Sequence, residues 1–225
     1  MRPKYWYLQQ VNLFEGMTPD ELQRLAEDII DRSWEKREMI YTPDDELDKV
    51  YIIKEGEVTL YRVHDDKRII IDVLKPGAVF GNIAFVKDTQ HGHFAEVSQR
   101  AYLCAISKRD FLKIFQARPE LAMRLLRMLA ERISEYEDKI QALSLFDAKA
   151  RVLQQIQHIA AKDRKSVLPP ILRRKSKLTH EKLAEMTGLT RVTVTRSIHE
   201  LVGEGKLAVE GREIRMIDGA GMDTV

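Results

Sequence analysis

The chain has 225 residues and a formal net charge of +2, so its length allows two domains that each bury a core. A single cysteine, Cys104, excludes disulfides within one chain and any metal or iron–sulfur site that needs several cysteines. No run approaches the roughly 20 apolar residues of a membrane span, and the first residues lack the apolar core of a signal peptide. We therefore expect a soluble, cytoplasmic protein that does not bind a membrane.

The charges are distributed unevenly along the chain. Residues 145–225 carry 15 Lys and Arg against 10 Asp and Glu, a net of +5, whereas residues 1–144 carry 22 against 25, a net of −3. A basic module next to a slightly acidic one is typical of a DNA-binding domain attached to a regulatory domain. The sequence contains no nucleophile–base set, phosphate-binding loop or metal-ligand spacing, so we do not expect an enzyme.

The first half of the chain predicts a helix followed by a series of short strands. Thr18 can cap a helix over 18–30, with Pro19 at its first position. From about Arg32 to Ile106 the apolar period changes to two. The strand-like runs are 50–53, 57–63, 68–74 and 94–97, and the turn signals between them include 43–45, 54–56, 64–67 and 75–77. Many short strands without long helices between them predict a β-roll, whose interior can hold a small ligand.

A cysteine and two helices follow in the middle of the chain. Cys104 lies in the apolar run 101–106, which indicates a buried, inert thiol rather than a sensor thiol. A short helix is predicted over 111–116 and a long one over 119–143. In the long helix the apolar residues are spaced alternately by four and three, the repeat of a coiled-coil seam: Ala122, Leu126, Leu129, Ile133, Tyr136, Ile140 and Leu143. We expect a parallel dimer along it; a single helix packed on the β-roll is the alternative.

A helix over 146–161 then leads into two shorter helices separated by a glycine. Residues 178–186 have the apolar spacing of the first, Gly188 interrupts, and the second begins near Thr190. Thr179 and Thr190 are the residue type that caps a helix N-terminus with a side-chain oxygen. Two helices joined at a glycine predict a helix-turn-helix, although many such pairs pack together without binding DNA.

The second of these helices carries polar side chains of the kinds that contact DNA. Arginine and threonine contact base edges and phosphates, and the helix presents Arg191, Thr193, Thr195 and Arg196. Residues 206–217 alternate around a glycine like a small hairpin. The helices and the hairpin together predict a winged helix that binds double-stranded DNA. The alternative from another class is a small-molecule or haem-binding protein whose C-terminal helices only pack.

This order of a β-roll, a long helix and a C-terminal helix-turn-helix resembles the CRP/FNR family of bacterial transcription regulators. The resemblance covers nearly the whole chain and rests on residues 54–58, 75–82, 146–153 and 178–196. Gly56, Gly77 and Gly81 suit tight turns of the roll, where a positive φ penalises any other residue. The implied fold is α+β, with a β-roll effector domain (1–117), a dimerisation helix (118–144) and a winged helix-turn-helix (145–225).

The resemblance implies a homodimer that binds a palindromic operator, with RNA polymerase as a further partner. Each recognition helix would enter a major groove, with half-sites about one helical turn apart. By position, Arg191, Thr193 and Arg196 are expected to contact DNA. Val192 stands where the cAMP-receptor branch has a glutamate that reads cytosine, so we expect a different operator base there, with a thymine methyl as the substitute contact. The expected DNA-binding set also includes Thr179, Thr190 and Thr195.

The sensing residues depart from the cAMP-binding pattern of the family. A Gly-Glu pair that holds the ribose becomes Gly81-Asn82, and an Arg-Ser pair that holds the cyclic phosphate becomes His91-Gly92. Without that arginine nothing offsets the burial of a phosphate charge, which argues against cAMP. On the dimer helix, the adenine-facing pair becomes Tyr136 and Glu137, a further departure. The expected effector pocket comprises Gly81, Asn82, His91, Gly92, His93, Arg132, Tyr136 and Glu137.

Three kinds of control stay open. The first is a small effector other than cAMP, bound in the β-roll or where the roll meets the long helix. The second is a haem-based gas or redox sensor with His91 and His93 as candidate ligands, although ordinary loop histidines are the favoured interpretation. The third is a regulator that needs no ligand. The iron–sulfur branch is excluded, because it needs four cysteines and the chain has one.

Overall fold

The computed structural model describes residues 4–9, 11–27, 29–45, 49–81, 92–165, 178–210 and 213–217. They form two compact units, and the boundary between these falls inside a long helix, between Arg132 and Ile133. The predicted α+β fold is confirmed: a β-roll comes first, then the long helix, then a winged helix-turn-helix. The finer division into three domains stays a prediction.

The first unit contains several helices, one of which begins at the predicted cap residue Thr18. They are α1 (Lys4–Leu8), a short 3-10 helix (Asn12–Phe14), α2 (Pro19–Glu27), α3 (Lys108–Ala117) and the first half of α4 (Pro119–Leu145). At α2 the Glu21 carboxylate accepts the backbone N–H of Thr18 at 2.8 Å, while the Thr18 hydroxyl accepts that of Glu21 at 3.4 Å. The helix ends at Glu27, earlier than predicted, because residues from Ile30 onward pair with a strand.

The β-roll is built around two long antiparallel strands. Its strands are β1 (Ile30–Trp34), β2 (Met39–Tyr41), β3 (Lys49–His64), β4 (Lys67–Leu74), β5 (Val79–Gly81) and β6 (Phe94–Ser107). The pairing of β3 with β6 runs from Lys49 opposite Ser107 to Tyr61 opposite Phe94. Strands β1 and β2 also pair with β6, while β4 and β5 pair with β3. The two long strands therefore hold all the others.

Strand β3 passes straight through residues 54–56, where the sequence predicted a turn. The turn prediction is wrong, because β6 pairs with β3 on both sides and the register shifts between Ile53 and Val58 absorb the irregularity. The predicted positive φ is confirmed at Gly56, Gly77 and Gly81, with values of 86°, 91° and 97°. The glycine at position 56 thus marks a bulge within a strand.

Two further predictions in this unit fall short of the observed elements. The strand predicted over 94–97 continues to Ser107, since β6 finds partners in β1 and β3 along its length. Helix α3 begins at Lys108 instead of 111, because the Ser107 hydroxyl accepts the backbone N–H of Asp110 at 3.1 Å and caps it. In both cases the element is longer than its apolar pattern.

Two apolar clusters fill the first unit. One lies among the helices and the ends of β3 and β6, with Phe14, Phe111 and Leu121 at its centre. The other fills the roll and includes Trp34, Tyr51 and Phe80, with all its members less than a tenth exposed. Because interiors are close-packed, these aromatic side chains give the roll much of its stability.

The second unit contains the rest of α4 and the C-terminal elements. These are α5 (Ala148–Lys165), α6 (His180–Thr187), α7 (Arg191–Gly203) and a two-stranded wing, β7 (Leu207–Glu210) and β8 (Glu213–Met216). The core is formed by Val152, Ile156, Leu183, Ala184, Val194, Ile198, Leu201 and Leu207. Helix α5 is held against α4 by an ion pair of 2.6 Å between Lys162 and Glu135.

Helix α4 has two apolar faces. Leu121 and Leu125 are 1 % and 7 % exposed and pack into the helical cluster of the first unit. Of the predicted seam, Leu129 packs partly against the same cluster, whereas Leu126, Ile133 and Ile140 are 58 %, 57 % and 64 % exposed. Within the described ranges, no helix combines the length and the apolar character that crossing a bilayer requires.

Candidate functional site

The two helices of the helix-turn-helix begin and end at residues suited to these positions. The Thr179 hydroxyl accepts the backbone N–H of Lys182 at 3.1 Å and caps α6. Gly188 has a φ of 67°, the left-handed conformation that ends a helix without a Cβ penalty. The Thr190 hydroxyl then accepts the N–H of Thr193 at 3.2 Å and caps α7. The structure thus has both predicted caps, and a connection of three residues separates the helices.

Helix α7 has one buried and one exposed face. Val194 and Ile198 are 0 % and 2 % exposed and pack with the core of the unit. On the opposite face Val192 is 79 % exposed, and the side chains of Arg191 and Arg196 are 71 % and 75 % exposed. This face therefore presents two cations and an aliphatic side chain to solvent.

Among the described residues, the two exposed arginines make long ion pairs. The Arg191 Nε lies 4.0 Å from a Glu181 carboxylate oxygen, and the Arg196 Nε lies 3.9 Å from that of Glu200. Exposed pairs of this kind contribute little to stability. Both guanidinium groups can therefore exchange their glutamate for a phosphate or a guanine edge at small cost.

The threonine hydroxyls of α7 are hydrogen-bonded within the protein. The Thr193 and Thr190 oxygens lie 2.8 Å apart. The Thr195 hydroxyl donates to the carbonyl oxygen of Arg191 at 2.9 Å, and its oxygen also lies 2.9 Å from His180 Nδ1. Of the predicted DNA-binding residues, the arginines and Val192 are thus the most available, while the threonines shape the start of the helix.

Sequence reasoning missed His180, which the structure brings against the recognition helix. It is the first residue of α6, and its partner Thr195 follows 15 residues later. No helical or strand period connects positions at this separation, so only the packing of α6 against α7 reveals the contact.

The predicted effector residues in the roll are partly described. Gly81 ends β5 with a φ of 97°, and a Cβ there would lie 2.6 Å from the carbonyl oxygen of Lys49. Gly92 has a φ of 59°, with the Arg62 guanidinium 3.2 Å from the position of a Cβ. Asn82 and His91 lie outside the described residues. At both described glycines, a side chain would strain the backbone and come too close to a neighbouring group.

His93 packs into the aromatic cluster of the roll. Its Nε2 lies 3.0 Å from the hydroxyl of Tyr41, a residue that is 2 % exposed and also contacts Phe80. A haem ligand needs a ring nitrogen whose lone pair faces the iron, whereas this nitrogen is engaged by Tyr41. Among the described residues no group of three His, Cys, Asp or Glu side chains could hold a metal ion. The Nε2 of His93 is therefore already hydrogen-bonded, which counts against its use as an axial ligand.

Arg132 is the predicted pocket residue with direct contacts to the roll. Its Nε lies 3.5 Å from Asp72 Oδ2, and its Nη1 donates to the carbonyl oxygen of Val79 at 3.4 Å. The Asp72 side chain is 6 % exposed, and its Oδ1 accepts the N–H of Val73 at 2.8 Å. The guanidinium thus bridges β4 and β5 to α4.

Asp72 did not figure among the predicted site residues, although the sequence carries a signal for it. Along β4 the inward positions are Ile70, Asp72 and Leu74, which alternate with less buried residues. A charged residue in the inward phase of an apolar strand is rarely buried unless it is paired. The charged residue at an inward position of this strand could therefore have identified Asp72 from the sequence.

The other two pocket candidates on α4 belong to the second unit. Tyr136 is half-buried and Glu137 is exposed, and they follow the boundary at Ile133. Their neighbour Glu135 pairs with Lys162 of α5. The predicted pocket residues are therefore divided between the two units.

The single cysteine is buried in the roll. Cys104 is 0 % exposed on β6, and burial raises the pKa of its thiol to about 12. Because only the thiolate is reactive, this cysteine is inert in the folded protein.

Two domain families match the chain in the order of its two units. Residues 31–118 match the cyclic nucleotide-binding domain, and residues 150–224 match the Crp-like helix-turn-helix domain. A cyclic AMP receptor protein from Thermus thermophilus is 26% identical over 212 residues, covering 92% of this chain and 94% of the relative. A global nitrogen regulator from Synechococcus elongatus is 28% identical over 188 residues, covering 82% and 84%.

The fold is shared with solved structures of similar size. The structure of a CooA mutant from Carboxydothermus hydrogenoformans has a TM-score of 0.71 and 18% identity, covering 95% of this chain and 91% of that one. With both domains present in this order, the chain belongs to the CRP/FNR family of transcription regulators. The resemblance stated from the sequence is confirmed, and DNA binding through the helix-turn-helix follows from it.

Proposed function

We propose that the protein is a homodimeric, sequence-specific regulator in which α7 reads the operator. The observation that carries the proposal is the exposed face of α7, with Arg191, Val192 and Arg196. Arginine can donate two hydrogen bonds to O6 and N7 of guanine, and valine can contact a thymine methyl. The caps at Thr179 and Thr190 bring helix N-termini to the same surface, where phosphates are favoured. RNA polymerase is the protein partner that we propose.

The role of α7 is tested with duplex DNA that the full chain selects from a random pool. Replacing Arg191 or Arg196 by alanine is expected to weaken specific binding by about 1–3 kcal/mol. The matched control, Arg109→Ala, removes an exposed arginine from α3 in the other unit and is expected to leave binding unchanged. If both α7 variants bind as tightly as the parent, α7 is not the recognition helix.

We propose that two copies pair in parallel along α4. Leu126, Ile133 and Ile140 follow one another at intervals of seven residues and are each more than half exposed. An exposed heptad of large apolar residues is the pattern that a second helix covers. Within the first unit α4 packs through Leu121, Leu125 and, in part, Leu129. The exposed heptad residues are the part of the seam that we propose for the partner copy.

Sedimentation equilibrium tests the dimer with a pair of adjacent substitutions. Ile140→Glu places a charge in the seam and is expected to convert the dimer to monomers and to weaken operator binding. Gln141→Glu places the same charge one residue further, at an exposed position outside the seam, and is expected to leave the dimer intact. A dimer that survives Ile140→Glu uses another surface.

For the effector, we propose that the roll responds to a small molecule other than cAMP or that the protein acts without one. The positions that hold the ribose and the cyclic phosphate in cAMP-binding members are Gly81-Asn82 and His91-Gly92 here, without a glutamate or an arginine. Arg132 already has Asp72 as its anion and is not a free substitute for the missing arginine. The contact of His93 with Tyr41 speaks against the haem-sensor alternative. These observations favour an effector other than a cyclic nucleotide, or none.

Two ligands are tested first, because several relatives are named for cAMP and haem is the sensor that the sequence left open. Calorimetric titration with cAMP is expected to give no binding, and added haem is expected to give no Soret band. Saturable cAMP binding that changes DNA affinity would contradict the effector proposal. A Soret band lost on replacing His91 and His93 would make the protein a haem sensor.

A further inference from the structure

His180 and Thr195 form a hydrogen-bonded pair between α6 and α7. The distance from His180 Nδ1 to Thr195 Oγ1 is 2.9 Å, and the same Oγ1 donates to the carbonyl oxygen of Arg191. A hydroxyl has one hydrogen, so Thr195 can only accept from His180. Nδ1 therefore carries a hydrogen, and in the neutral ring Nε2 has the open lone pair. The pair thus fixes both the tautomer and the orientation of the imidazole.

The imidazole lies next to the face of α7 that we assign to DNA. His180 is half-buried and directly follows the cap residue Thr179, while Thr195 directly precedes Arg196. In helix-turn-helix proteins the first helix crosses the DNA backbone while the second enters the groove. Nε2 is on the side of the ring away from Thr195, and no protein partner of Nε2 is found within the described residues.

We propose that His180 contacts a DNA phosphate in its protonated form, with Thr195 as its positioning residue. This inference rests on the proposed role of α7. A neutral Nε2 offers a lone pair, which a phosphate oxygen repels, whereas a protonated Nε2 donates a charge-assisted hydrogen bond. Where the imidazole of the free protein is neutral, binding takes up one proton from solvent per protomer and forms an N–H bond at Nε2, and no other covalent bond changes.

The charged groups around the pair come from the helices that meet there. Glu181 and Lys182 follow His180 on α6, while Arg191 and His199 lie one turn before and after its partner on α7. Glu181 and Arg191 are 4.0 Å apart and partly offset each other. Helix α5 meets the other end of α6, where Arg151 donates to a backbone carbonyl. Glu181 and a bound phosphate are the anions on this surface that favour the imidazolium, while Lys182 and Arg191 oppose it.

The expected pH dependence follows from that charge. The contact needs the imidazolium, so the affinity for DNA is expected to fall as the pH rises. A protonated histidine on a phosphate also displaces counterions, so the slope of log affinity against log salt steepens by about one per protomer. A purely structural role for His180 would not change this slope.

The experiment uses the full chain and duplex DNA that it selects from a random pool, with affinity measured by fluorescence anisotropy over salt. The parent is expected to bind about tenfold more tightly per protomer near pH 6 than near pH 8, with the steeper salt slope at the lower pH. His180→Gln and His180→Asn are expected to abolish both differences. Thr195→Val keeps the imidazole without its hydroxyl partner and is expected to reduce them.

Two controls separate this contact from other histidines. His64→Gln removes an exposed imidazole from β3, and His199→Gln removes one from α7 itself; both are expected to keep the pH differences. Salt slopes in the parent that do not change with pH, or pH differences that disappear only with His199→Gln, would overturn the inference. A parent that selects no duplex would overturn the proposed function and this inference with it.

Discussion

The arginines of α7 and the arginine at the β-roll are used in opposite ways. Arg191 and Arg196 are more than two-thirds exposed, and their glutamate partners lie about 4 Å away. Arg132 is 23 % exposed and contacts both a buried carboxylate and a backbone carbonyl. Exposed arginines stay available to phosphates and bases, whereas a buried pair is costly to break. The surface proposed to bind DNA is thus available after folding, while the charges of the roll maintain its fold.

A glycine of the roll and a glycine of α7 are also expected to respond differently to substitution. The glycine of the roll gives the largest expected change in the free energy of unfolding. Gly56 in β3 has a φ of 86°, and a Cβ there would lie 2.2 Å from the carbonyl oxygen of Arg100. Gly56→Ala is expected to lower the free energy of unfolding by about 3 kcal/mol, measured by urea denaturation, because strain and overlap act together. Gly203→Ala, with open space around it at the end of α7, is the control and is expected to be neutral or slightly stabilising. Equal stabilities would contradict the strand geometry.

The second-largest expected loss of stability comes from removing the negative charge of Asp72, which pairs with Arg132. Asp72→Asn keeps an acceptor for the N–H of Val73 but removes the negative charge beside the guanidinium. We expect a loss of about 2 kcal/mol in the free energy of unfolding, since the arginine is partly exposed and can recover some hydration. Asp65→Asn, at an 85 % exposed turn residue, is the matched control and should behave like the parent. A fully stable Asp72→Asn variant would mean that the pair is not needed.

A smaller effect is expected at the cap of α6. Thr179→Ala removes the oxygen that accepts the N–H of Lys182 and is expected to lower the free energy of unfolding by about 1 kcal/mol. Thr179→Ser keeps that oxygen and should restore most of the loss. Thermal unfolding followed by circular dichroism compares the two variants. If they unfold alike, the hydroxyl does not cap the helix.

The last prediction concerns Cys104, which is expected not to react with a thiol reagent while the protein is folded. Because burial raises the pKa of Cys104 to about 12, a thiol reagent at about pH 8 is expected to leave the folded protein unlabelled. After unfolding in urea the same reagent should label one thiol per chain. Rapid labelling of the folded protein would show that β6 opens and that the roll is less rigid than its packing indicates.

Features that depend on neighbouring residues could be predicted from the sequence. Thr179 and Thr190 each accept the N–H of a residue three positions later, so the residue type and its place before an apolar pattern were enough. The positive φ of Gly56 was also recognised. The exposed face of α7 followed from the helical period, since its buried residues occupy the other phase.

Features that depend on distant residues could not be predicted. Lys54 looked like a turn residue, yet its Nζ lies 2.5 Å from the Asp31 Oδ1 with both side chains buried. The hydroxyl of Tyr102 donates to the other oxygen of the same carboxylate at 3.0 Å. Such contacts are set by strand pairing across the roll, as the contacts of Arg132 and His180 are set by helix packing. Local patterns carry no information about them.

The most direct test of the account is the sequence and symmetry of the DNA that the full chain selects from a random pool. A homodimer with α7 as its recognition helix predicts a palindrome whose half-sites lie about one helical turn apart, with guanines opposite the two arginines. Arg191→Ala and Arg196→Ala should each relax the preference at one position of every half-site. Selection of an asymmetric site, or of no preferred sequence at all, would contradict the central claim.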